Sequence, residues 1–452
     1  MSDAELQPAR PHASGVRECT EDDLRRGRRL LLTEQAFAAA LAATMGGVFL
    51  TALVTALEGT ARELSWVFAA GYLGQVGMLI TNPILNKYRS RRKLCLVDLG
   101  AVRVLRVVLS ILPLLMYLGI ARKSLILPIA ACHLVSVFFG MSAEISRRSW
   151  IADLVPPSAR GIFFSRRVII SSSMNVAVLY GGGKMLDWFM RSGIESLLAN
   201  AIIIGWGALM GVVGWVLIYR CPEPPMAPPR RETGLMDSLA KSLVMPWTHP
   251  RFRPLILVAL AWSFSVGFAA DFFILYMRTH LAMDYAWIAA VCVSGELLSI
   301  FGAFFWGKWV DRWGARRVFT ISMIVKAIFP ALYILVQPSA WPLAFAVNAC
   351  SVFNSAQMIC WLRLSLNLSP SRNQAAFLAM HQAMMGLGQA IGTLSAGFLA
   401  GVLATVHLPT IGGFVIVPLH VLFAISMVLR MSTVPLLRFV REPRRIMAGL
   451  VE

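Results

Sequence analysis

The chain has 452 residues, of which 57% are hydrophobic and only 14% charged, against roughly 25% charge in a soluble globular domain. A deficit sustained over the whole length excludes a string of soluble domains and indicates an integral membrane protein, in which each spanning helix needs about 20 mainly apolar residues. The formal net charge of +19 would suggest nucleic acid in a soluble chain, but here the basic residues gather between apolar segments, so topology accounts for them and no nucleic-acid partner is expected.

Residues 1–32 are polar and read as a cytoplasmic tail; the first apolar stretch begins too late for a secretory signal, so it reads as an uncleaved first helix. Apolar runs long enough to span follow at about 33–57, 64–84, 94–119, 125–145, 163–189, 194–219, 253–278, 284–306, 318–337, 341–362, 374–403 and 410–436. The segments after even-numbered runs are rich in base: Lys87, Arg89, Arg91, Arg92 and Lys93, then Arg147, Arg148, Arg160, Arg166 and Arg167, then Arg220, Arg230, Arg231 and Lys241, then Lys308 to Arg317. Those after odd-numbered runs are poor in it. The positive-inside rule therefore puts the even loops and both termini in the cytoplasm. Residues 220–252 open with CPEPPMAPPRRETG, whose prolines forbid a continuing helix. The expected organisation is a tail (1–32), a six-helix bundle (33–219), a cytoplasmic linker (220–252), a second six-helix bundle (253–437) and a cytoplasmic tail (438–452). The seven cysteines are scattered without a CxxC pair, so neither a zinc site nor a disulfide framework is indicated, and no cofactor is expected.

Two stretches half a chain apart echo each other. NPILNKYRSRRK at 82–93 aligns without gaps on GKWVDRWGARRV at 307–318, with Asn86 on Asp311, Lys87 on Arg312, Tyr88 on Trp313, and Arg91 and Arg92 on Arg316 and Arg317. WIADLVPPSARGIFF at 150–164 likewise echoes WLRLSLNLSPSRNQAAF at 361–377. Each pair occupies the same place in its half, which is the signature of two six-helix repeats.

GKWVDRWGARRV resembles the G-x-x-x-D-R-x-G-R-R loop signature of the major facilitator superfamily, matching at Gly307, Asp311, Arg312, Gly314, Arg316 and Arg317. The DLVPPSARGIFFSRR stretch resembles a loop found in many bacterial members. The family usually carries its best signature in the first half; here that copy is degenerate, with Asn86 for the acid and Arg89 for the second glycine. The resemblance implies an all-α membrane protein of twelve transmembrane helices in two pseudo-symmetric six-helix bundles. It also implies a central cavity lined by the first and fourth helices of each half. By that implication His133, Asp271, Asn348, Asn354 and Gln357 are cavity candidates. The signature itself reads as a cytoplasmic gate, with Asp311 accepting from backbone N–H groups at a neighbouring helix start or pairing with Arg. Gly307 and Gly314 would allow close helix approach and a tight turn. The plainer reading of the same bases is a loop that only fixes orientation.

Ionisable groups inside spans are costly and mark candidate sites. Arg103 and Arg106, three apart in the third run, share a helix face, and Asp98 lies near enough in sequence to pair with one of them. Arg106, Glu296 and His420 fall near mid-span by residue count, Asp271 nearer the outside. Asp271 and Glu296 are the best candidates for proton carriers, since loss of water favours the neutral carboxyl. Lys184 and Asp187, at the end of the fifth run, read as snorkelling. The glycines of the eleventh run (Gly386, Gly388, Gly392, Gly397, Gly401) suit helices that approach and slide.

The leading functional expectation is a proton-coupled secondary active transporter of a small solute, acting as a monomer in the bacterial inner membrane by alternating access. HExxH, GxSxG and GxxxxGK[ST] are all absent, which argues against a membrane enzyme and against ATP drive. The alternative is a transporter-like sensor or assembly factor without solute flux. Arg103, Arg106 and Lys326 suggest an anionic substrate and Asp271 and Glu296 a cationic one, so the residues alone leave the substrate's charge open.

Overall fold

The computed structural model describes residues 20–88, 90–119, 125–156, 159–224, 235–370, 374–406, 410–411 and 414–440. The two outer tails, residue 89 with the side chains at 86–88, and the proline-rich 225–234 lie outside the described residues. Twelve helices among the described residues are long and apolar enough to cross a membrane: Glu21–Ala56, Ala61–Leu85, Arg91–Tyr117, Ile126–Ile151, Arg160–Arg191, Ser196–Tyr219, Arg253–Thr279, Tyr285–Trp313, Ala315–Ile334, Leu343–Leu368, Gln374–Leu403 and Pro418–Phe439. They are called spans 1 to 12. An even number of crossings puts both described ends on one face, here the termini face, and the far side is the opposite face.

Span packing follows a two-fold rule. In the first half, spans 1–5, 1–6, 2–4, 3–4 and 3–6 pack together; adding six to each number gives 7–11, 7–12, 8–10, 9–10 and 9–12, which pack in the second half. Contact between the halves runs through spans 2–11 and 5–8, a pair that the same operation exchanges. The chain is thus an all-α membrane protein of two pseudo-symmetric six-helix bundles, as the sequence repeats imply. Its flanks are apolar where lipid would lie: Val97, Val104, Phe301 and Phe304 on spans 3 and 8 are all exposed.

Helix ends depart from the apolar runs in informative places. Span 1 begins at Glu21, about three turns before its apolar stretch, because Thr20 and Asp23 form a reciprocal capping box. Span 4 runs on past residue 145 to Leu154, since the charges in its last turns find partners inside the bundle. Span 12 starts only at Pro418; residues 410–415 before it contain a two-residue antiparallel pairing, Thr410–Ile411 with Phe414–Val415. His420 therefore sits at the opposite-face end of its span rather than near the middle. Its Nε2 lies 2.8 Å from the Tyr276 hydroxyl, which donates to Val336 O.

Small residues set the closest approaches. A Cβ at Gly392 would lie 2.1 Å from Phe264 O on span 7, and one at Gly302 2.4 Å from Val352 O on span 10. Gly314 turns the chain between spans 8 and 9 at φ +85°, a conformation that favours glycine. Gly307 has nothing within 4 Å of such a Cβ, so the close approach expected of it is made by Gly302 instead. Valine at Gly302 is accordingly expected to destabilise the purified protein by about 1–3 kcal/mol through forced separation of spans 8 and 10. Alanine at Gly307 is expected to leave the detergent melting temperature unchanged, and thermal unfolding followed by tryptophan fluorescence measures both.

Candidate functional site

A cavity of about 870 Å³ lies among spans 1, 3, 4 and 5 of the first half, with Leu362 of span 10 on its far wall. It runs from the middle of span 3, at Arg103 and Arg106, to Arg148 and Phe164 near the termini face. On the opposite face the halves are closed. Val48, Phe49, Leu186 and Phe189 of the first half share one buried core with Phe272, Tyr276, Tyr285 and Ile288 of the second.

The cavity wall is basic, and its charges divide into two groups. Arg147 donates through Nη1 to both oxygens of the fully buried Glu34, each at 2.9 Å, and through its remaining donors to Glu144. Glu144 also accepts from Arg148 Nε at 2.9 Å and Arg167 Nη2 at 3.3 Å, and Arg167 Nε donates to Gln35 at 2.6 Å. Two carboxylates thus satisfy three guanidinium groups, a network that joins spans 1, 4 and 5. Arg103 and Arg106 are outside it. Arg103 donates from Nε to Gly211 O at 2.8 Å, while its Nη2 and the Nε and Nη1 of Arg106 are buried without a partner. A mid-span arginine costs about 2.5–3.5 kcal/mol on insertion scales; neither is hydrogen-bonded to a carboxylate, and the attraction of nearby Glu34 offsets part of that cost for Arg103 alone. Asp98, expected to pair with one of them, accepts from Ser142 Oγ at 2.6 Å instead.

The other sequence candidates divide between interhelix joints and positions away from the cavity. Asp271 sits where span 7 breaks between Gly267 and Phe272. It accepts from Tyr72 of span 2 at 2.5 Å and from Thr393 of span 11 at 2.8 Å. Glu296 of span 8 accepts from Asn175 of span 5 at 2.5 Å. Both acids therefore bridge the halves. Asn348 donates to Val291 O and to Ser294 Oγ on span 8, a bond within the second half. Asn354 is exposed and Gln357 half-buried, and neither lines the cavity. His133 is buried against Gly71, with Nδ1 unpartnered. In the loop signature, Arg363 of span 10 donates to Asp311 at 2.7 Å, while Arg312, Arg316 and Arg317 are exposed. The bond tying Asp311 down is thus within one half. The backbone capping expected of Asp311 is performed in the first half by Glu223, which accepts from the N–H groups of Arg91 at 2.6 Å and Arg92 at 3.1 Å and from Ser90 Oγ. Among the described residues no cluster of His, Cys, Asp or Glu could hold a metal ion.

Asp187 is the residue whose role the sequence least suggested. It is buried, and it caps span 8 from across the interface, accepting from Tyr285 N at 3.0 Å and Ala286 N at 2.7 Å. A carboxylate on two free N–H groups at a helix start is favoured by both hydrogen bonding and the helix dipole. Arg191, one turn further, pairs with Asp284 at 2.7 Å, but both side chains are well exposed and the pair contributes little.

Two bundles of candidate spans, a cavity lined by the first and a polar seal between the halves define the architecture of a multi-pass membrane protein. The sequence profile of the Major Facilitator Superfamily matches residues 268–450, and no curated protein matches the sequence significantly. The fold is similar over nearly the whole chain to solved transporters. These include the nucleoside transporter NupG (TM-score 0.65, 11% identity, 93% of this chain and 100% of that one). A bacterial homologue of the iron transporter ferroportin, in an inward-facing state, has TM-score 0.64 and 15% identity over 92% and 99%. A D-xylose–proton symporter has 0.63 and 15% over 93% and 98%. The profile thus covers most of the second half, and the fold is shared with these transporters over nearly the whole chain.

Removing the cap tests the seal. In an Ala289→Cys background, Asp187→Ala is expected to raise the rate of labelling by a membrane-impermeant maleimide from the opposite face severalfold. An unchanged rate would mean that Asp187 only stabilises a joint that does not open.

Proposed function

We propose that the protein is a secondary active transporter that carries a small solute across a bacterial cytoplasmic membrane by alternating access, with both tails cytoplasmic. On this reading the termini face is the inside, the bundles at 33–219 and 253–437 are the rocking bodies, and the structure is inward-open. The observation that carries the proposal is the pairing of a cavity reaching mid-membrane from one face with an interface sealed at the other. A pocket in one bundle, walled on its far side by the other and paired with an interface sealed at the opposite face, supports alternating access, because tilting about spans 2–11 and 5–8 would exchange the open end.

On this reading tilting breaks two of the bonds across the halves, Asp187 on the start of span 8 and Asp271 on Tyr72. Asp271 supports proton coupling. As a carboxylate it accepts from two hydroxyls on two different helices. Protonation places a donor where two donors already point, which loosens the bridge between spans 2 and 7. A proton that enters with the solute would thereby release the seal. One of the solved transporters of similar fold is a proton symporter, which agrees with this reading without establishing it. Asp311, held by Arg363, is proposed as a latch that changes partner when the termini face closes.

A disulfide checks the motion. A Cβ at Gly183 lies 3.1 Å from Ala289 Cβ across spans 5 and 8, close enough for a disulfide after small adjustment. With the native cysteines replaced, oxidised Gly183→Cys/Ala289→Cys protein in vesicles is expected to lose solute flux and recover it on reduction. Flux that continues through the cross-link would refute rocking at this interface. Separately, Asp271→Asn is expected to lower uptake driven by a pH gradient by about tenfold or more while solute exchange at equal pH persists. Equal loss of both would assign Asp271 to structure alone.

A further inference from the structure

We infer that the mid-membrane end of the cavity binds a small organic anion, a carboxylate or phosphate ester with an apolar body, through Arg103 and Arg106. The inference deepens the transport reading by naming the substrate class and rests on it only for the word substrate; the binding site stands on its own geometry. Five arginines line the cavity against a single lining carboxylate, Glu144. Glu144 is already shared by three of those arginines, and the Glu34 behind them is taken by Arg147. Arg103 and Arg106 keep their charge with three buried N–H-bearing atoms unpartnered, at 6% and 8% exposure.

The acids that suggested a cation from sequence do not compete. Asp271 and Glu296 are bonded to Tyr72, Thr393 and Asn175 at the joint between the halves, and neither lines the cavity. Two guanidinium groups on one face of span 3, a helical turn apart, match an oxyanion that accepts from both. Around them Leu41, Val102, Val137 and Met141 offer apolar wall, which suits a hydrocarbon or aromatic body rather than a bare inorganic ion. The single element contributed by the second half is Leu362, so the charge of the ligand is read by the first half alone.

The test uses the full chain in nanodiscs of phosphatidylcholine, which supply no anionic lipid, with binding read by tryptophan fluorescence and thermal shift. The probes are 1-naphthoate and phenyl phosphate, the neutral 1-naphthamide, the cation 1-naphthylmethylammonium, and inorganic phosphate. The expected result is saturable binding of one or both organic anions, with the amide and the amine at least about tenfold weaker. Arg106→Gln is expected to weaken the anion by about tenfold or more, Arg106→Lys by less, and Arg62→Gln on the opposite face not at all. Equal binding of amide and anion, binding of the amine alone, or full affinity in Arg106→Gln would overturn the inference. So would competition by added phosphatidylglycerol that abolishes probe binding, which would give the arginines to a lipid headgroup. If Arg106→Gln does not fold, discrimination among probes by the unaltered protein decides the matter, with Arg106→Lys reporting on the site. Anion binding without flux in vesicles would leave this inference standing and remove the transport reading. Flux of the cation without anion binding would do the reverse.

Discussion

The structure is governed by the cost of holding charge where there is no water. A bilayer offers no hydrogen bonds to a polar side chain, so each buried ionisable group must find a partner inside the protein or be kept for a ligand. This constraint sorts the buried charges by function. Glu34, Glu144, Arg147 and Arg167 satisfy one another and make the first bundle rigid. Asp187, Asp271 and Glu296 each accept a bond from across the junction of the two halves, and those bonds last only as long as that junction does. Arg103 and Arg106 are left over.

The chemistry of the junction suits a joint that must open. Close packing occurs within each half, as at Gly302 on Val352 and Gly392 on Phe264, and also between them, as at Gly397 on Ser65. Across the halves the polar contacts are local: a cap on span 8 with the exposed Arg191–Asp284 pair beside it, a tyrosine on one carboxylate, an amide on another, and Gln382 on Gln75 at 2.8 Å. Each can be exchanged for water when its face opens, which lowers the penalty of parting. A seal made only of apolar contact would have to expose its whole area at once.

The fold was legible in the sequence because a spanning helix writes itself as about 20 apolar residues, and because the repeated stretches at 82–93 and 307–318 expose the two-fold. Helix ends were less so. Arg147 and Arg148 read as loop charges because a charge usually ends a span, yet here span 4 continues through them, its charges neutralised by Glu144 within the same helix and by Glu34 from span 1, far away in sequence. No local pattern announces such a pairing. Asp187 failed for the same reason: an acid at a span's end normally reaches for water, and the helix start it caps lies almost a hundred residues further on. Arg103 and Arg106 were legible as a pair through their three-residue spacing, but their lack of partners could be known only once every neighbouring carboxylate had been placed.

The halves share a backbone plan but not a charge plan, and that difference has a mechanistic consequence. If both bundles carried equal charge toward the cavity, an anion would be held from two sides and released only with difficulty as they part. Here the basic wall belongs to the first bundle, while the second contributes the apolar Leu362 on the far wall and keeps its own buried Arg430 turned to the backbone carbonyls of Lys326 and Val266. On the proposed reading, a ligand bound to the first bundle would travel with it while the second moves past, breaking weak apolar contacts rather than ion pairs. That reading would assign recognition and motion to different sides of the cavity, so that a strong electrostatic hold on the ligand could coexist with a low barrier to changing the face it sees.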